Sequence, residues 1–299
     1  MKKTFILGVG AQKAGTTWLH RQFKKNVTFN LGHRKEYHVF DAIDRLNDPS
    51  RKKGQFLQLN KCIQNTINSY ESNTLGRNMS KGDKRFQTVD LSFIDNVENY
   101  FDYFDYLYLK SDITQAVGDI TPEYALLQPR TFRLIKTGLE KRGFEVKVIF
   151  LMRDPIERAW SAARYRKKNM PKEKQIKFDE FEFLKRKPRS SSAHLKSRYE
   201  TTILNIEKVF NKPQIHYEFY ERLFQEESYH KLQNFLELDL CSFDSSEVIN
   251  AAPKTEHLTQ LPDKLNKRLR RSFNSTYDFI EQRYNKVATE LWKGYQVPE

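Results

Sequence analysis

The sequence predicts one α/β domain built on a parallel sheet, and three observations carry that prediction. An apolar run at residues 4–9 ends in glycines, a second at 146–152 leads straight into a helix start, and no repeat or Pro/Gly-rich linker divides the 299 residues. Apolar runs without alternation are what strands buried on both faces require. Length alone allows one large domain or two small ones; the missing linker favours a single domain over residues 1–299.

Taken in order, TFILGV reads as the first strand, and a helix follows from Gly15. Leu19 and Phe23, four apart, pack that helix on the sheet, leaving His20, Arg21, Lys24 and Lys25 toward solvent or ligand. A polar stretch covers roughly residues 47–90. The aromatic segment NYFDYFDYLYL comes next, with Phe101, Phe104, Leu107 and Tyr108 as one packing face, or as a sugar-stacking surface. VGDITPEY reads as a strand end and turn. In EVKVIFLMRDPIERAWSAARYRKK the strand runs to residue 152; Asp154 caps the following helix, Pro155 takes its first position and Glu157 sits where a capping-box acid belongs. Ile156, Ala159, Trp160 and Ala163 form its apolar stripe. Downstream, RYETTILNIEKVF reads as a helix, QIHYEFY as a strand, and residues 262–292 as one or two closing helices, while RKPRSSSAHLKSR is the loop most open to movement.

The chain carries 52 basic and 38 acidic residues, a net charge of +14, which favours an anionic partner: a nucleotide, an acidic sugar, a nucleic acid or a membrane surface. Only Cys62 and Cys241 are present, without disulfide or zinc-ligand spacing. A reducing compartment follows, and cytoplasmic location is expected; a Golgi lumenal domain without its anchor would look the same. Lys2 and Lys3 before the first apolar run imitate a signal peptide, but Gln12 and Lys13 interrupt it. No segment reaches the roughly 18 apolar residues of a membrane span, and no nucleic-acid motif accompanies the charge.

The chemistry is concentrated in GVGAQKAGTTWL. Gly10 and Gly15 have the spacing of a phosphate loop, but Thr16 stands where an ATPase lysine would be, and the lysine is Lys13, inside the loop. The dinucleotide fingerprint fails as well, because its third glycine position is Lys13. Amides from Ala14 to Thr17 and the Thr16 and Thr17 hydroxyls still suit an anion at a helix N-terminus. A lysine on the loop can reach the bridging oxygen of a mixed anhydride, where charge gathers as the leaving group departs. The alternative is a glycine turn with a solvated lysine.

GAQKAGTTWL resembles the 5′-phosphosulfate loop of the sulfotransferases, which use 3′-phosphoadenosine 5′-phosphosulfate (PAPS) as donor. The resemblance implies a nucleotide-kinase type of parallel α/β fold, with Gln12, Lys13, Ala14, Gly15, Thr16, Thr17 and Trp18 around the donor. It also implies that Arg153 and Ser161, in RDPIERAWS, hold the 3′-phosphate; guanidinium offers a planar fork of donors and the hydroxyl one more. Arg158 is either a further ligand or a structural partner.

HRKEYHVFD resembles the K-E-x-H-F-F-like segment of heparan-sulfate-type carbohydrate sulfotransferases, making Glu36 the base beside Lys35 and His38. His38 or His33 remains an alternative, since histidine has the more suitable unperturbed pKa. VGDITPEY is similar to the family's G-E-K-T-P-x-Y segment, which implies substrate contacts for Asp119 and Thr121; Ile120 replaces the usual lysine, so either Lys13, Lys35 or a residue elsewhere supplies that charge, or the acceptor differs. Tyr199 is expected to pack, and Lys254, in NAAPKTEHLTQLP, to close over the nucleotide. The resemblance runs from residue 4 to about 225.

The resulting expectation is a metal-free sulfotransferase that moves a sulfuryl group from PAPS to a hydroxyl, or secondarily an amino group, of a carbohydrate or glycoconjugate that could be acidic. The alternatives are a P-loop kinase and a non-catalytic module that binds nucleotides or polyanions.

Overall fold

The computed structural model describes residues 3–46, 89–90, 92–186, 192–244 and 261–296. In chain order, β1 (Lys3–Gly10), α1 (Thr16–Lys24), β2 (Phe29–Asn30) and α2 (Val39–Leu46) come first. The aromatic segment forms α3 (Val97–Leu109), and β3 (Ala116–Ile120) precedes α4 (Pro129–Glu140). The second strand-to-helix unit is β4 (Phe144–Met152) and α5 (Pro155–Lys168). Short helices α6 (Lys172–Lys177), α7 (Glu180–Arg186) and α8 (Ser192–Leu195) lead to α9 (Tyr199–Glu207), β5 (Ile215–Phe219) and α10 (Glu226–Leu236). The end of the described chain is α11 (Asp263–Ser272), α12 (Asn274–Arg283) and α13 (Val287–Leu291). Three helices thus stand where one or two were expected; Asn285 and Lys286 take left-handed backbone and interrupt the last pair.

The five strands pair in the order β2-β3-β1-β4-β5, every pair parallel. This is the P-loop type of parallel α/β sheet, flanked by helices. β1 is central and buried almost throughout, as its unbroken apolar run demands. The chain turns to one side after β1 and to the other at β4, so the loops following β1, β3 and β4 gather at one carboxyl edge, where open sheets bind ligands.

Local chemistry explains the two key helices. Asp154 caps α5 as expected, accepting from the amides of Ile156 at 2.9 Å and Glu157 at 3.4 Å. The capping box does not form: Glu157 turns to Arg153 at 3.6 Å, and the Asp154 amide donates to Glu221 instead. On α1, Leu19 and Phe23 are buried as predicted, but His20 is buried too, with Lys35 and Glu36 close enough to act on its charge. In α3 the packing reading holds: Tyr100, Phe101, Phe104 and Leu107 are buried, so this face offers no sugar platform.

Candidate active site

The loop after β1 is shaped by two glycines. Gly10 and Gly15 have φ of 127° and 92°, and a Cβ on Gly15 would meet Leu223 at 2.5 Å, so glycine is needed there on both counts. No side chain caps α1 and no acid lies in its first turn, in contrast to α5. The first-turn amides therefore remain for an anion. Ala14 is an exception, because its amide donates to the Ala11 carbonyl at 3.1 Å; the amides suited to an anion begin at Gly15. Trp18 also departs from expectation. It is only 3% exposed, its ring stands edge-on to Phe224 and Phe243, and its indole donates to the Asp244 carbonyl, so the side chain belongs to the core.

Lys13 itself has left-handed backbone, φ 70°, and its ammonium lies 4.2 Å from the centre of the Tyr165 ring. Burial, with repulsion from Arg153, Arg164, Lys35 and Lys168, brings its pKa down to about 8. Arg153 reaches from the end of β4 to the same loop: Nη1 donates to the Lys13 carbonyl at 3.3 Å, and the guanidinium lies over the Tyr220 ring at 4.5 Å. Tyr199 is fully buried and donates to the Arg153 carbonyl at 2.7 Å, fixing the strand end. Ser161 is half-buried on α5. Arg158, in contrast, is wholly buried and donates to the Ser197 hydroxyl, which is a structural role.

Asp119 and Thr121 have no accessible surface, so the substrate contacts expected of them are closed off by burial. They position the neighbouring segment instead. The Asp119 carboxylate accepts hydroxyls from Tyr100 at 3.0 Å, Tyr124 at 2.8 Å and Thr121 at 2.6 Å. The Thr121 and Tyr124 oxygens in turn accept the amides of Tyr37 at 2.9 Å and Val39 at 3.2 Å. Those amides flank His38, whose φ of 56° is unfavourable for a non-glycine residue and is held by its neighbours. Burial pushes Asp119 up to about 6 against its three donors. We predict that Asp119→Ala costs about 3 kcal/mol or more, since buried hydroxyls lose their acceptor; urea denaturation would measure it, and wild-type stability would contradict this network.

Glu36, Lys35 and His38 do come together. Lys35 pairs with Glu36, and His38 Nε2 lies 3.3 Å from the other Glu36 oxygen while Nδ1 is 3.3 Å from Asp41. Burial opposes ionisation of Glu36, but the hydrogen bond from His38 and the Lys35 charge hold its carboxyl down at about 2. Burial would likewise lower His38, yet Asp41, Glu36 and Glu123 push it up to about 10. His33 is engaged at both nitrogens, with Tyr103 at 2.8 Å and Asp90 at 2.9 Å, which removes it as a base.

Sequence reasoning missed Glu123, Lys196 and Tyr165. Glu123 accepts from Gln12 at 3.1 Å and from Lys196 at 2.6 Å, tying the phosphate loop to the His38 side of the cleft. Glu36, His38 and Glu123 are close enough to share a cation, but Lys35 and Lys196 already pair with the two carboxylates. Ile120, in place of the family's lysine, packs on Gly8 in the core. Lys254 and Cys62 lie outside the described residues.

An uncapped helix after the central strand, and a second strand end whose arginine is bonded to the loop before that helix, suit a nucleotide that carries anionic groups at two positions. The family model described as the sulfotransferase domain matches residues 3–272; the chain belongs to that family and is a PAPS-dependent sulfotransferase. Among solved structures it is similar to a sulfotransferase from Alicyclobacillus acidocaldarius, with 15% identity, a TM-score of 0.55, and coverage of 94% of this chain and 96% of that one. The sulfotransferase domain of the Synechococcus PCC 7002 olefin synthase gives 15% identity and a TM-score of 0.46 over 87% of this chain and 89% of that one. A sulfotransferase domain from the curacin biosynthetic pathway gives 16% and 0.44 over 92% and 96%. No curated protein sequence matches at a significant level. Among the described residues no helix is long and apolar enough to cross a membrane.

Proposed function

We propose that Gln12, Lys13 and the amides and hydroxyls from Gly15 to Thr17 hold the 5′-phosphosulfate, and that Arg153 and Ser161 hold the 3′-phosphate. In this reading Glu36 takes the proton from a hydroxyl, or secondarily an amino group, of a carbohydrate or glycoconjugate. The observation that supports it most is the bond from Arg153 Nη1 to the Lys13 carbonyl, which brings two strand ends within reach of one doubly phosphorylated nucleotide. As the acceptor oxygen bonds to sulfur, the sulfur–oxygen bond to the 5′-phosphate breaks with its electron pair, and Lys13 neutralises the charge left there. Lys35 holds Glu36 and faces the transferring group. Two cysteines in the whole chain support a reducing compartment, the cytoplasm.

The kinase alternative would need an acid free to hold a metal at the second strand end. Asp154 instead caps α5 and accepts from Tyr277 at 2.7 Å and the Gly294 amide at 2.5 Å. Calorimetric titration with 3′-phosphoadenosine 5′-phosphate (PAP) against ADP tests the donor site. PAP is expected to bind at least about tenfold more tightly, as one charge-assisted contact provides, and Ser161→Ala to narrow the gap. Equal binding of the two nucleotides would end the reading.

A further inference from the structure

Beside the phosphate loop lies a cavity of about 800 Å³ bounded by α5, α7, α8 and α11, a volume suited to one small ligand rather than a polymer. Its wall includes Gln12, Tyr165 and Lys196. Each adjoins the reacting centre: Tyr165 carries the Lys13 ammonium, and Gln12 and Lys196 both hold Glu123, which lies 4.0 Å from His38; Lys13, Glu36 and His38 stand behind that wall rather than in it. Consecutive residues on a helix are about 100° apart, which divides α5 between two tasks. Arg164 and Lys168 lie near enough to Lys13 to act on its charge, and Ser161, three and seven residues before them, shares their helix face, whereas Ala159, Ala162 and Asn169 line the cavity; Tyr165 stands at the boundary.

The cavity's chemistry is distinctive. Among the described residues no acid lines it, while Arg166, Lys196, Arg268 and Arg271 do. The rest of the wall is largely apolar, including Phe183, Leu269 and Phe273. His194 stacks on Phe273 at 4.5 Å and 12°, and Arg166 lies over Phe183 at 5.3 Å. Flat aromatic walls accept a ring or an alkyl body, and arginine forks accept a carboxylate or phosphate. We propose that this cavity is the acceptor site and that it selects a hydroxylated anion with an aromatic or apolar body, such as the aryl glycoside of a uronic acid. The proposal rests on the reacting centre placed above and narrows its acceptor class.

The test compares para-nitrophenyl glucuronide with para-nitrophenyl xyloside, the same ring without the carboxylate, and with para-nitrophenyl glucoside, which has a hydroxymethyl group in its place, as ligands of the PAP-saturated protein and as acceptors from PAPS. The glucuronide is expected to bind at least tenfold more tightly and to be sulfated. Arg268→Ala combined with Arg271→Ala should abolish the preference without changing PAP affinity; both arginines are exposed on α11, so the core is untouched. Equal affinity for the glucuronide and the two neutral glycosides, a preference that survives in the double variant, or a glucuronide that binds without accepting sulfate each overturns the proposal. Glu36→Gln separates this from the base assignment, because it should keep glucuronide binding while losing turnover; turnover that persists in that variant removes the base and leaves the cavity's selectivity standing.

Discussion

Replacing Lys13 by alanine is expected to lower kcat by about 10²- to 10³-fold, the usual cost of deleting one donor aimed at charge that develops in the transition state. Its backbone is held by the Arg153 guanidinium and its ammonium rests over the Tyr165 ring, which suits a charge that follows the leaving phosphate. The pH dependence gives a second readout. In the free enzyme Lys13 loses its proton as pH rises through about 8, and a bound polyanion favours the charged form. Donor binding above pH 8 therefore draws in a proton, and kcat/KM for PAPS, which reports the free enzyme, bends downward there. Below pH 8 the lysine is already charged and imposes no dependence. Lys13→Arg keeps its charge and should lose the bend while recovering little of kcat, because the guanidinium differs in shape and reach. The same bend in Lys13→Ala would assign it to another group.

What the sequence made legible was the chemistry that is local in the chain. The runs at β1 and β4, the glycines of the first loop and the Asp154 cap are each decided within a few neighbours, and all appear where their patterns place them. β2, two residues long, is too short to carry a pattern. The errors arise where distant residues decide. Trp18 sits within a ligand-loop motif, yet Phe224, Phe243 and Asp244 draw its side chain into the core. Asp119 lies in a recognisable segment at the end of β3, but one of its hydroxyl donors, Tyr100, comes from α3, 19 residues earlier. Tyr165 sits among the basic residues at the end of α5, where nothing in its neighbours in the chain points to Lys13, 152 positions earlier, whose ammonium lies over its ring. Glu123 had no assigned role because its partners Gln12 and Lys196 are 111 and 73 residues away.

Glu36→Gln is the other large expected loss, about 10²- to 10⁴-fold in kcat, the range of a positioned general base. Glutamine retains the shape and one acceptor oxygen but cannot take the proton. A carboxylate held near 2 is a weak base toward an alcohol at rest; it becomes adequate once the new bond to sulfur has made that hydroxyl proton acidic. His38 is poorly placed for the same task. Pushed up to about 10, it is an imidazolium at neutral pH and has no lone pair to offer until its acids are neutralised. Its contribution is to orient Glu36 and keep it ionised. His38→Asn should therefore cost far less than Glu36→Gln, and should let the Glu36 carboxyl rise toward its ordinary value. The sign follows: in wild type no acid limb from Glu36 appears until pH falls toward 2, whereas in His38→Asn activity begins to fall as pH drops through the usual glutamate range near 4. Profiles of kcat against pH for the three proteins decide the matter. A larger loss in His38→Asn than in Glu36→Gln, with no new acid limb, would transfer the role of base to the histidine.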